Sequence, residues 1–259
     1  MRHKRSNRAH KPKSKSGAKP SGLDQQVIYG RHAVLAALHN PARNIINLWA
    51  TDNAAVRYSD DLKPYGDKLT IVKAAELDRM VVADAVHQGL VLKASPLPVI
   101  PLEQIIENTQ DRLVLVVLDQ ITDPHNVGAI FRSCAAFGVN AVIMPARNSV
   151  EFSGVLAKAA SGAIEHVPLV RVTNLARSLK MLQASHISVV GFDSELTDDF
   201  ERVQDHNRIA LIFGAEGKGM RRLTRENCDH LVHLKMPGVI KSLNVSNACA
   251  VALYALSMK

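Results

Sequence analysis

Three short stretches in the second half of the chain place polar and charged side chains beside apolar segments, as ligand sites on α/β sheets do. The first stretch reads LDQITDPHNVGAIFRSCAAFG over residues 118–138. A predicted strand ends at Asp119 and a helix follows, with Asn126 in the N-cap position and Arg132 off the buried stripe. Taken alone, Asn126 is most simply a cap and Arg132 a solvated surface residue.

The second stretch, IALIFGAEGKGM over residues 209–220, is an apolar strand that runs into Gly214, Gly217 and Gly219. Glycines directly after a strand let a ligand approach the backbone closely. The spacing G-x-x-G-x-G matches neither the dinucleotide fingerprint G-x-G-x-x-G nor the phosphate loop G-x-x-x-x-G-K-[ST]. A glycine-rich ligand loop of another kind remains, with Glu216 inside it. By itself, Glu216 is most simply an exposed turn residue.

Polar residues crowd the start of the last predicted helix, in the sequence SLNVS. They are Ser242, Asn244 and Ser246, which alternate with apolar residues. Helix capping accounts for one or two of them, but not readily for all three. The third stretch, residues 233–256, is therefore also a candidate site.

The elements that must position these residues are predicted by hydrophobic periodicity. In residues 112–259 apolar strands alternate with helical patterns, which predicts an α/β domain with a parallel sheet covered by helices. Residues 26–94 form a shorter α/β pattern, and residues 95–111 carry three prolines and predict a stiff linker. In the longer region the predicted strands are 113–118, 141–144, 187–192, 209–213 and 231–236, and the predicted helices are 127–137, 155–161, 175–184 and 245–258.

The positive charge of the chain is concentrated at its start. The net charge is +8, and residues 1–22 hold eight of the 32 Lys and Arg residues and no acidic residue. The remaining 24 basic residues therefore balance the 24 acidic ones. Residues 1–25 are predicted to be a disordered basic tail, which either binds a polyanion such as RNA or serves only solubility.

The composition argues against several classes of protein. No apolar run approaches the roughly 20 residues of a membrane span, and no apolar segment follows the basic start as in a secretory signal. The cysteines Cys134, Cys228 and Cys249 are scattered, and His125 has no partner at metal-ligand spacing. Neither a disulfide framework nor a metal site is expected, and a reducing cytoplasm fits the chain.

In their order and spacing, the three stretches resemble the SpoU (TrmH-type) family of RNA ribose methyltransferases, within the knotted SPOUT superfamily. The family's first motif has an Asn and an Arg six residues later, its second has a strand running into G-x-E-x-x-G, and its third reads IPMxGxxxSLNVS. The resemblance covers residues 112–259, with one departure at Lys235, where the family usually has Pro. The matching residues are Asn126, Arg132, Gly214, Glu216, Gly219, Met236, Gly238 and Ser242 to Ser246.

The resemblance implies a chemistry and a fold for residues 112–259. The fold is an α/β sheet closed by a deep trefoil knot, with S-adenosylmethionine bound in the knot and a homodimer formed through the knotted domain. The reaction is 2′-O-methylation of an RNA ribose, in which Arg132 either orients the nucleotide or accepts the proton, and in which Asn126 and Glu216 hold Arg132 and the loops. The implied catalytic residues are Arg132, Asn126, Glu216, Ser242 and Asn244, and the implied cofactor-binding residues are Gly214, Leu234, Met236 and Leu243.

Residues 26–94 are similar to the ribosomal-protein-like RNA-binding domain of the large-subunit rRNA guanosine-2′-O-methyltransferases (RlmB type). The similar stretches are IYGRHAVLAAL (28–38) and AVHQGLVLKA (85–94). This similarity favours guanosine in 23S rRNA, free or in a pre-ribosomal particle, as the target. A tRNA ribose methyltransferase and a non-catalytic RNA-binding protein on the same fold remain alternatives, whereas the failed fingerprint disfavours a nucleotide-dependent Rossmann enzyme.

Overall fold

The computed structural model describes residues 25–109, 111–193, 199–240 and 242–258. The basic tail predicted over residues 1–25 lies, apart from Gln25, outside this part of the chain. Among the described residues, no helix combines the length and the apolar character that crossing a bilayer requires.

The first folded unit is a four-stranded sheet with helices packed against it. Its strands run in the order β1-β4-β2-β3, with β4 antiparallel to both of its neighbours and β2 parallel to β3. The core between sheet and helices contains Val34, Leu48 and Leu92, which are fully buried. The strands are β1 (Gln26–Tyr29), β2 (Ile45–Ala50), β3 (Leu69–Ile71) and β4 (Leu90–Ala94), and the helices are α1 (Arg31–His39), α2 (Asp52–Arg57), α3 (Ser59–Leu62) and α4 (Ala74–Asp78).

The second unit is a six-stranded sheet in which every strand is parallel to its neighbours, in the order β10-β8-β9-β5-β6-β7. The predicted parallel sheet covered by helices is therefore confirmed. Its strands are β5 (Leu113–Asp119), β6 (Ala141–Pro145), β7 (Leu169–Val172), β8 (Ser188–Phe192), β9 (Arg208–Gly214) and β10 (His230–Val232). Its helices are α5 (Leu102–Asn108), α6 (Pro124–Ala136), α7 (Gly154–Ala160), α8 (Leu175–Ala184), α9 (Arg222–Glu226) and α10 (Val245–Ser257).

The central strand β5 shows why this sheet needs two covering layers. All seven of its residues are buried, because successive side chains point to opposite faces and both faces are covered. Val116 and Leu118 belong to the core that contains residues of α6, α7 and α10. Leu115 and Val117 belong to the core that contains residues of α5 and α8.

Several features differ from the sequence-based expectation, among them strand β7 and helix α9, which were not predicted. Helix α6 begins at Pro124 and its N-cap is Asp123, so the prediction of Asn126 as the cap is wrong. The strand expected over 231–236 is confined to β10, beyond which only His233 makes an isolated bridge, to Asp199. The linker predicted over 95–111 contains α5, whose residue Leu102 is buried in the core of the second unit.

Candidate functional site

The three predicted stretches follow strands whose carboxyl ends lie at one edge of the parallel sheet. Asp119 at the end of β5 pairs in register with Gly214 at the end of β9. The loop after β9 carries Glu216, and the segment after β10 leads to Asn244 at the start of α10. Ligands of open α/β sheets bind at this edge, outside the carboxyl ends of the strands.

Glu216 joins the three stretches through one carboxylate oxygen. Its Oε1 accepts hydrogen bonds from Asn244 Nδ2 at 2.6 Å, from the backbone N–H of Val245 at 3.3 Å and from Asn126 Nδ2 at 3.4 Å. Asn244 Nδ2 also donates to Asn126 Oδ1 at 2.9 Å. The predicted residues Asn126, Glu216 and Asn244 therefore form one hydrogen-bonded cluster, although they are far apart in sequence.

Helix caps hold two members of this cluster in place. The carboxylate of Asp123 accepts hydrogen bonds from the backbone N–H groups of His125 and Asn126, and these bonds fix the first turn of α6. Asn244 is the N-cap of α10, and its Oδ1 accepts from the backbone N–H and the hydroxyl of Ser246 at 2.9 and 2.6 Å. Capping thus explains Asn244 and Ser246, while the amide nitrogen of Asn244 stays available to the cluster.

The glycine-rich loop after β9 is a tight turn. The backbone groups of Ala215 and Gly219 exchange two hydrogen bonds, and Gly217 and Gly219 have φ of 76° and 64°, a region that favours glycine. A Cβ atom on Gly214 would lie 2.2 Å from the carbonyl carbon of Gly219. Glycine at position 214 therefore lets the turn fold back on the strand and sets the direction in which Glu216 points.

A cavity of about 570 Å³ opens beside this cluster. Its apolar wall includes Phe192 and Phe213, whose rings stack with centroids 4.7 Å apart. Leu243 also lines it and is 41% exposed, as an apolar side chain facing an open site would be. All four predicted cofactor residues line the cavity, together with three predicted catalytic residues: Gly214, Leu234, Met236, Leu243, Glu216, Ser242 and Asn244.

Two charged pairs that were not predicted from the sequence lie at or near the site. Arg225 and Asp193 form a salt bridge at the cavity wall. Asp119 is fully buried and accepts from the backbone N–H and from Nε of Arg221, at 2.8 and 2.7 Å. An aspartate that ends an otherwise apolar strand was a usable signal for Asp119, whereas Arg225 lies in an ordinary short helix that offered none.

Arg132 does not line this cavity. It lies on the exposed side of α6 and borders a separate groove with Ser161 and His166. None of the hydrogen bonds of Asn126, Glu216 and Asn244 within the described chain reaches it. The expectation that Asn126 and Glu216 hold Arg132 is therefore not met within one chain.

Two further expectations concern Lys235 and metals. Lys235 is exposed and does not belong to the residues that line the cavity, so this departure from the family motif leaves the cavity wall unchanged. Within the residues that the structure describes, no group of three or more His, Cys, Asp or Glu side chains could hold a metal ion.

Comparison with known proteins gives concordant matches for both units. The SpoU rRNA methylase family matches residues 113–254, and a family described as RNA 2′-O ribose methyltransferase substrate binding matches residues 27–99. The 23S rRNA (guanosine-2′-O-)-methyltransferase RlmB of Pasteurella multocida is 42% identical over 88% of this chain and 96% of its own length. The corresponding protein of Pseudomonas putida is 40% identical over 88% of this chain and 94% of its own.

A solved structure matches the fold across both units. The SpoU methyltransferase AviRb from Streptomyces viridochromogenes, in complex with the cofactor AdoMet, superposes with a TM-score of 0.76. The match covers 91% of this chain and 90% of AviRb at 21% sequence identity.

Proposed function

This chain belongs to the SpoU rRNA methylase family, and from that membership we propose that it methylates a ribose 2′-hydroxyl of 23S rRNA, at a guanosine, using S-adenosylmethionine. The observation that carries the proposal is the convergence of Asn126, Glu216 and Asn244 at the mouth of the cavity. A non-catalytic RNA-binding protein on the same fold would have no need to keep this polar cluster beside an open cavity.

The cavity suits S-adenosylmethionine in size and in chemistry. Its volume of about 570 Å³ lies in the usual range for small-molecule sites. The aromatic and aliphatic wall would take the adenine, with Leu234, Met236 and Leu243 against it and the backbone at Gly214 close by. The Asp193–Arg225 pair and Glu216 supply both signs of charge for a ligand that carries an ammonium, a carboxylate and a sulfonium.

Bound S-adenosylmethionine supplies a methyl group that its positive sulfur already activates, so positioning and proton removal fall to the protein. Ser242 lies at the cavity and its hydroxyl would donate a hydrogen bond to the target nucleotide. Asn244, whose amide hydrogens are taken by Glu216 and Asn126, would hold the loops around the nucleotide in place. Arg132 would grip the ribose and its phosphate and stabilise the negative charge that develops on the 2′-oxygen. An arginine keeps its proton in proteins, so Arg132 acts as a clamp that favours loss of the 2′-hydroxyl proton, and water or a phosphate of the nucleotide accepts that proton as the methyl group is transferred.

The chain acts as a homodimer in this proposal, because one copy leaves Arg132 away from its own cavity. A second copy would bring its Arg132 to the site. A surface for pairing exists on α10, where Asn247, Val251, Tyr254 and Met258 form one exposed stripe at helical spacing. The side chains of Val251, Tyr254 and Met258 are largely apolar, so burying them against a second copy would be more favourable than exposing them to water.

The proposal also includes the knot and the place of action. Helix α10 follows the edge strand β10 but packs against α6 and β9 near the middle of the sheet, and this return supports a knotted path of the chain end. With ribosomal RNA as its substrate, the protein would act in the cytoplasm, on free rRNA or on a pre-ribosomal particle.

The test uses transfer of a radiolabelled methyl group to 23S rRNA by single variants and by their mixture. Arg132→Ala should abolish transfer while the affinity for S-adenosylmethionine, measured by calorimetry, stays within about twofold, because the arginine lies outside the cavity. Glu216→Ala should lose methyl transfer and should also bind S-adenosylmethionine more weakly. Unreduced turnover by Arg132→Ala would contradict the role of Arg132.

Mixing the two inactive variants tests the shared site. A heterodimer contains one cavity with an intact Glu216 and, from the other copy, an intact Arg132. The proposal therefore expects activity to return after the subunits are exchanged. A mixture that forms heterodimers but stays inactive would place Arg132 and Glu216 in the same copy.

A further inference from the structure

A buried ion pair connects the two folded units of the chain. Arg43 lies between α1 and β2 in the first unit, and Glu165 ends the turn of 3₁₀ helix at Ala163–Glu165 in the second. Their side chains are 0% and 4% exposed. Arg43 Nη2 donates to Glu165 Oε1 at 2.6 Å and Nε donates to Oε2 at 3.1 Å, which is a two-pronged contact.

Neighbouring groups complete the coordination of both charges. The remaining nitrogen of the Arg43 guanidinium, Nη1, donates to Gln26 Oε1 at 2.8 Å and to the carbonyl of Ser95 at 3.0 Å. Asn40 Nδ2 donates to Glu165 Oε2 at 2.8 Å. The guanidinium carbon lies 5.8 Å from the centre of the Phe152 ring. A buried charge is tolerated only when it is paired in this way, so the pair depends on one specific arrangement of the two units.

Close packing around the pair also indicates that the two units have one fixed arrangement. A Cβ atom on Gly154 would lie 2.4 Å from the Tyr29 ring, and one on Gly162 would lie 2.6 Å from the Cβ of Ala36. In each contact a glycine of the second unit receives a residue of the first. Ala157 of α7 is buried among the core residues of the first unit.

We propose that Arg43 and Glu165 are positioning residues that lock the RNA-binding unit onto the catalytic unit of the same chain, and so set where bound RNA meets the cavity. This inference rests on the proposed function. Without the pair, the segment between β4 and α5 and the packing at Gly154, Ala157 and Gly162 would still hold the units near each other. An unpaired buried charge would, however, favour arrangements in which the units separate and the charge reaches water, so their orientation would no longer be fixed. A tethered unit has a modest effective concentration, whereas a rigid one presents its RNA in a single pose.

The first measurement is structural and needs no RNA. Spin labels at Val56→Cys on α2 and Lys180→Cys on α8, one exposed position in each unit, report the distance between the units by electron paramagnetic resonance. The labelled chain is mixed with an excess of unlabelled chain, so that a dimer holds at most one labelled copy and only distances within one chain are measured. We expect one narrow distance distribution for the parent chain and a broad one for Glu165→Gln, which leaves the buried Arg43 without its counter-charge. Glu226→Gln is the matched control, since it breaks an exposed pair with Arg222 whose side chains are 50% and 77% exposed.

The second measurement is methylation of a 23S rRNA transcript. For Glu165→Gln we expect KM for the RNA to rise by roughly tenfold, as a lost effective concentration would produce, with the S-adenosylmethionine affinity unchanged. If Glu165→Gln fails to fold, Asn40→Ala keeps both charges but removes the amide group that donates to the carboxylate and to the backbone carbonyl of Glu165 and that accepts from Ala42 N–H. It should give an intermediate broadening and an intermediate KM.

A narrow distance distribution in Glu165→Gln, or in a folded Asn40→Ala variant, together with an unchanged KM, would overturn the proposal. A broad distribution with an unchanged KM would overturn the link to RNA positioning. A parent chain that fails to methylate the transcript would contradict the proposed function, and the link to RNA positioning with it, whereas the distance measurement would still decide whether the pair is a lock.

Discussion

Glu216 joins three loops with a single carboxylate oxygen, and this makes it the residue on which the shape of the site depends most. Asn126 and Asn244 each make a further contact within the cluster, but only Glu216 receives donors from both α6 and α10. Taken singly these residues predicted only caps and a turn, whereas the order and spacing of the three stretches, through the resemblance to the SpoU family, implied all three as site residues. They could not predict that the side chain of Glu216 would bind Asn126 and Asn244 directly and leave Arg132 elsewhere, because that depends on where α10 begins in space.

Replacing Glu216 should therefore affect the ligand site more than the stability of the fold. Glu216→Ala leaves the amides of Asn126 and Asn244 to water, since these groups are exposed, so we expect a fall in melting temperature of only a few degrees. The cavity mouth loses its shape, and the affinity for S-adenosylmethionine should fall by at least about tenfold, which corresponds to about 1.4 kcal/mol. Calorimetric titration measures this.

Glu216→Gln separates charge from shape in the same titration. Because it keeps one accepting oxygen, it should lose less affinity for S-adenosylmethionine than Glu216→Ala. Some affinity should still be lost, because hydrogen bonds to a charged acceptor are stronger than those to a neutral one. Equal losses in the two variants would mean that the charge, and not the geometry, is what the site uses.

The three cysteines are predicted to be inert, for reasons that lie in their surroundings. Burial raises the pKa of the Cys228 thiol to about 12, with the carboxylate of Asp229 adding to the effect. Burial and a hydrogen bond with Cys134 raise the pKa of Cys249 as well. Thiolate is the reactive form, and it appears only as the pH approaches the raised pKa.

Iodoacetamide at pH 8 should therefore leave Cys228 and Cys249 unmodified in the native protein, and it should not reach Cys134 because that side chain is fully buried. All three should be modified once guanidinium unfolds the protein. Mass spectrometry counts the added groups. Modification of Cys228 in the native state at pH 8 would show that its surroundings are more open or more positive than described.

At the scale of elements, the carboxyl ends of β5, β9 and β10 explain why motifs far apart in sequence meet. Strand–helix alternation predicts a parallel sheet, and a parallel sheet brings all such ends to one edge. The order of strands does not follow from the pattern. That β9 lies beside β5, and that the chain returns from β10 at the edge so that α10 packs against α6 and β9, are consequences of tertiary packing.

Errors in the predicted elements have local physical causes. Helix α5 was missed because three prolines precede or open it, although Pro101 serves as its N-cap and Leu102 is buried. The alternating pattern of 231–236 overextended β10, because an edge strand has one neighbour and the pairing with β8 stops at Phe192. Strand β7 has only four residues, too few for periodicity to stand out.

Close packing of α6 against α7 yields a prediction at this scale. A Cβ atom on Gly128 would lie 2.4 Å from the Cβ of Ala159 and 2.8 Å from the backbone nitrogen of Ala160. Gly128→Ala should therefore destabilise the protein by about 1–2 kcal/mol, because the cost of overpacking exceeds the gain of up to about 1 kcal/mol in helix propensity. Thermal unfolding should show a melting temperature lower by several degrees.

Gly66→Ala is the matched control for that substitution. Gly66 has φ of −56° and ψ of −33°, and its added Cβ would meet only the carbonyl oxygen of Lys63, at 3.6 Å. The alanine should stabilise the protein by about 0.4–1 kcal/mol, because it restricts the unfolded chain. A Gly128→Ala protein as stable as Gly66→Ala would mean that α6 and α7 can separate without cost.

At the scale of the whole molecule, charge is divided unevenly between the folded part and the start of the chain. Beyond residue 22 the basic and acidic residues balance, so the excess of +8 belongs to the first 22 residues. Attraction of the rest of the chain to RNA must then come from local basic groups. One of them is Lys158 at the junction of the two units, whose Nζ donates to Gln88 Oε1.

Removal of residues 1–22 should weaken RNA binding and reduce its salt dependence. Each phosphate that a Lys or Arg neutralises contributes about −0.7 to −0.9 to the slope of log K against log salt concentration. With eight basic residues in the segment, the slope should become shallower by several units in fluorescence-anisotropy titrations of a 23S rRNA fragment. A full-length chain with the eight residues changed to Gln should behave like the truncated one, because charge and not length drives counterion release. A truncated protein that keeps the parent slope would mean that the segment does not contact RNA, and the folded units alone would then carry recognition.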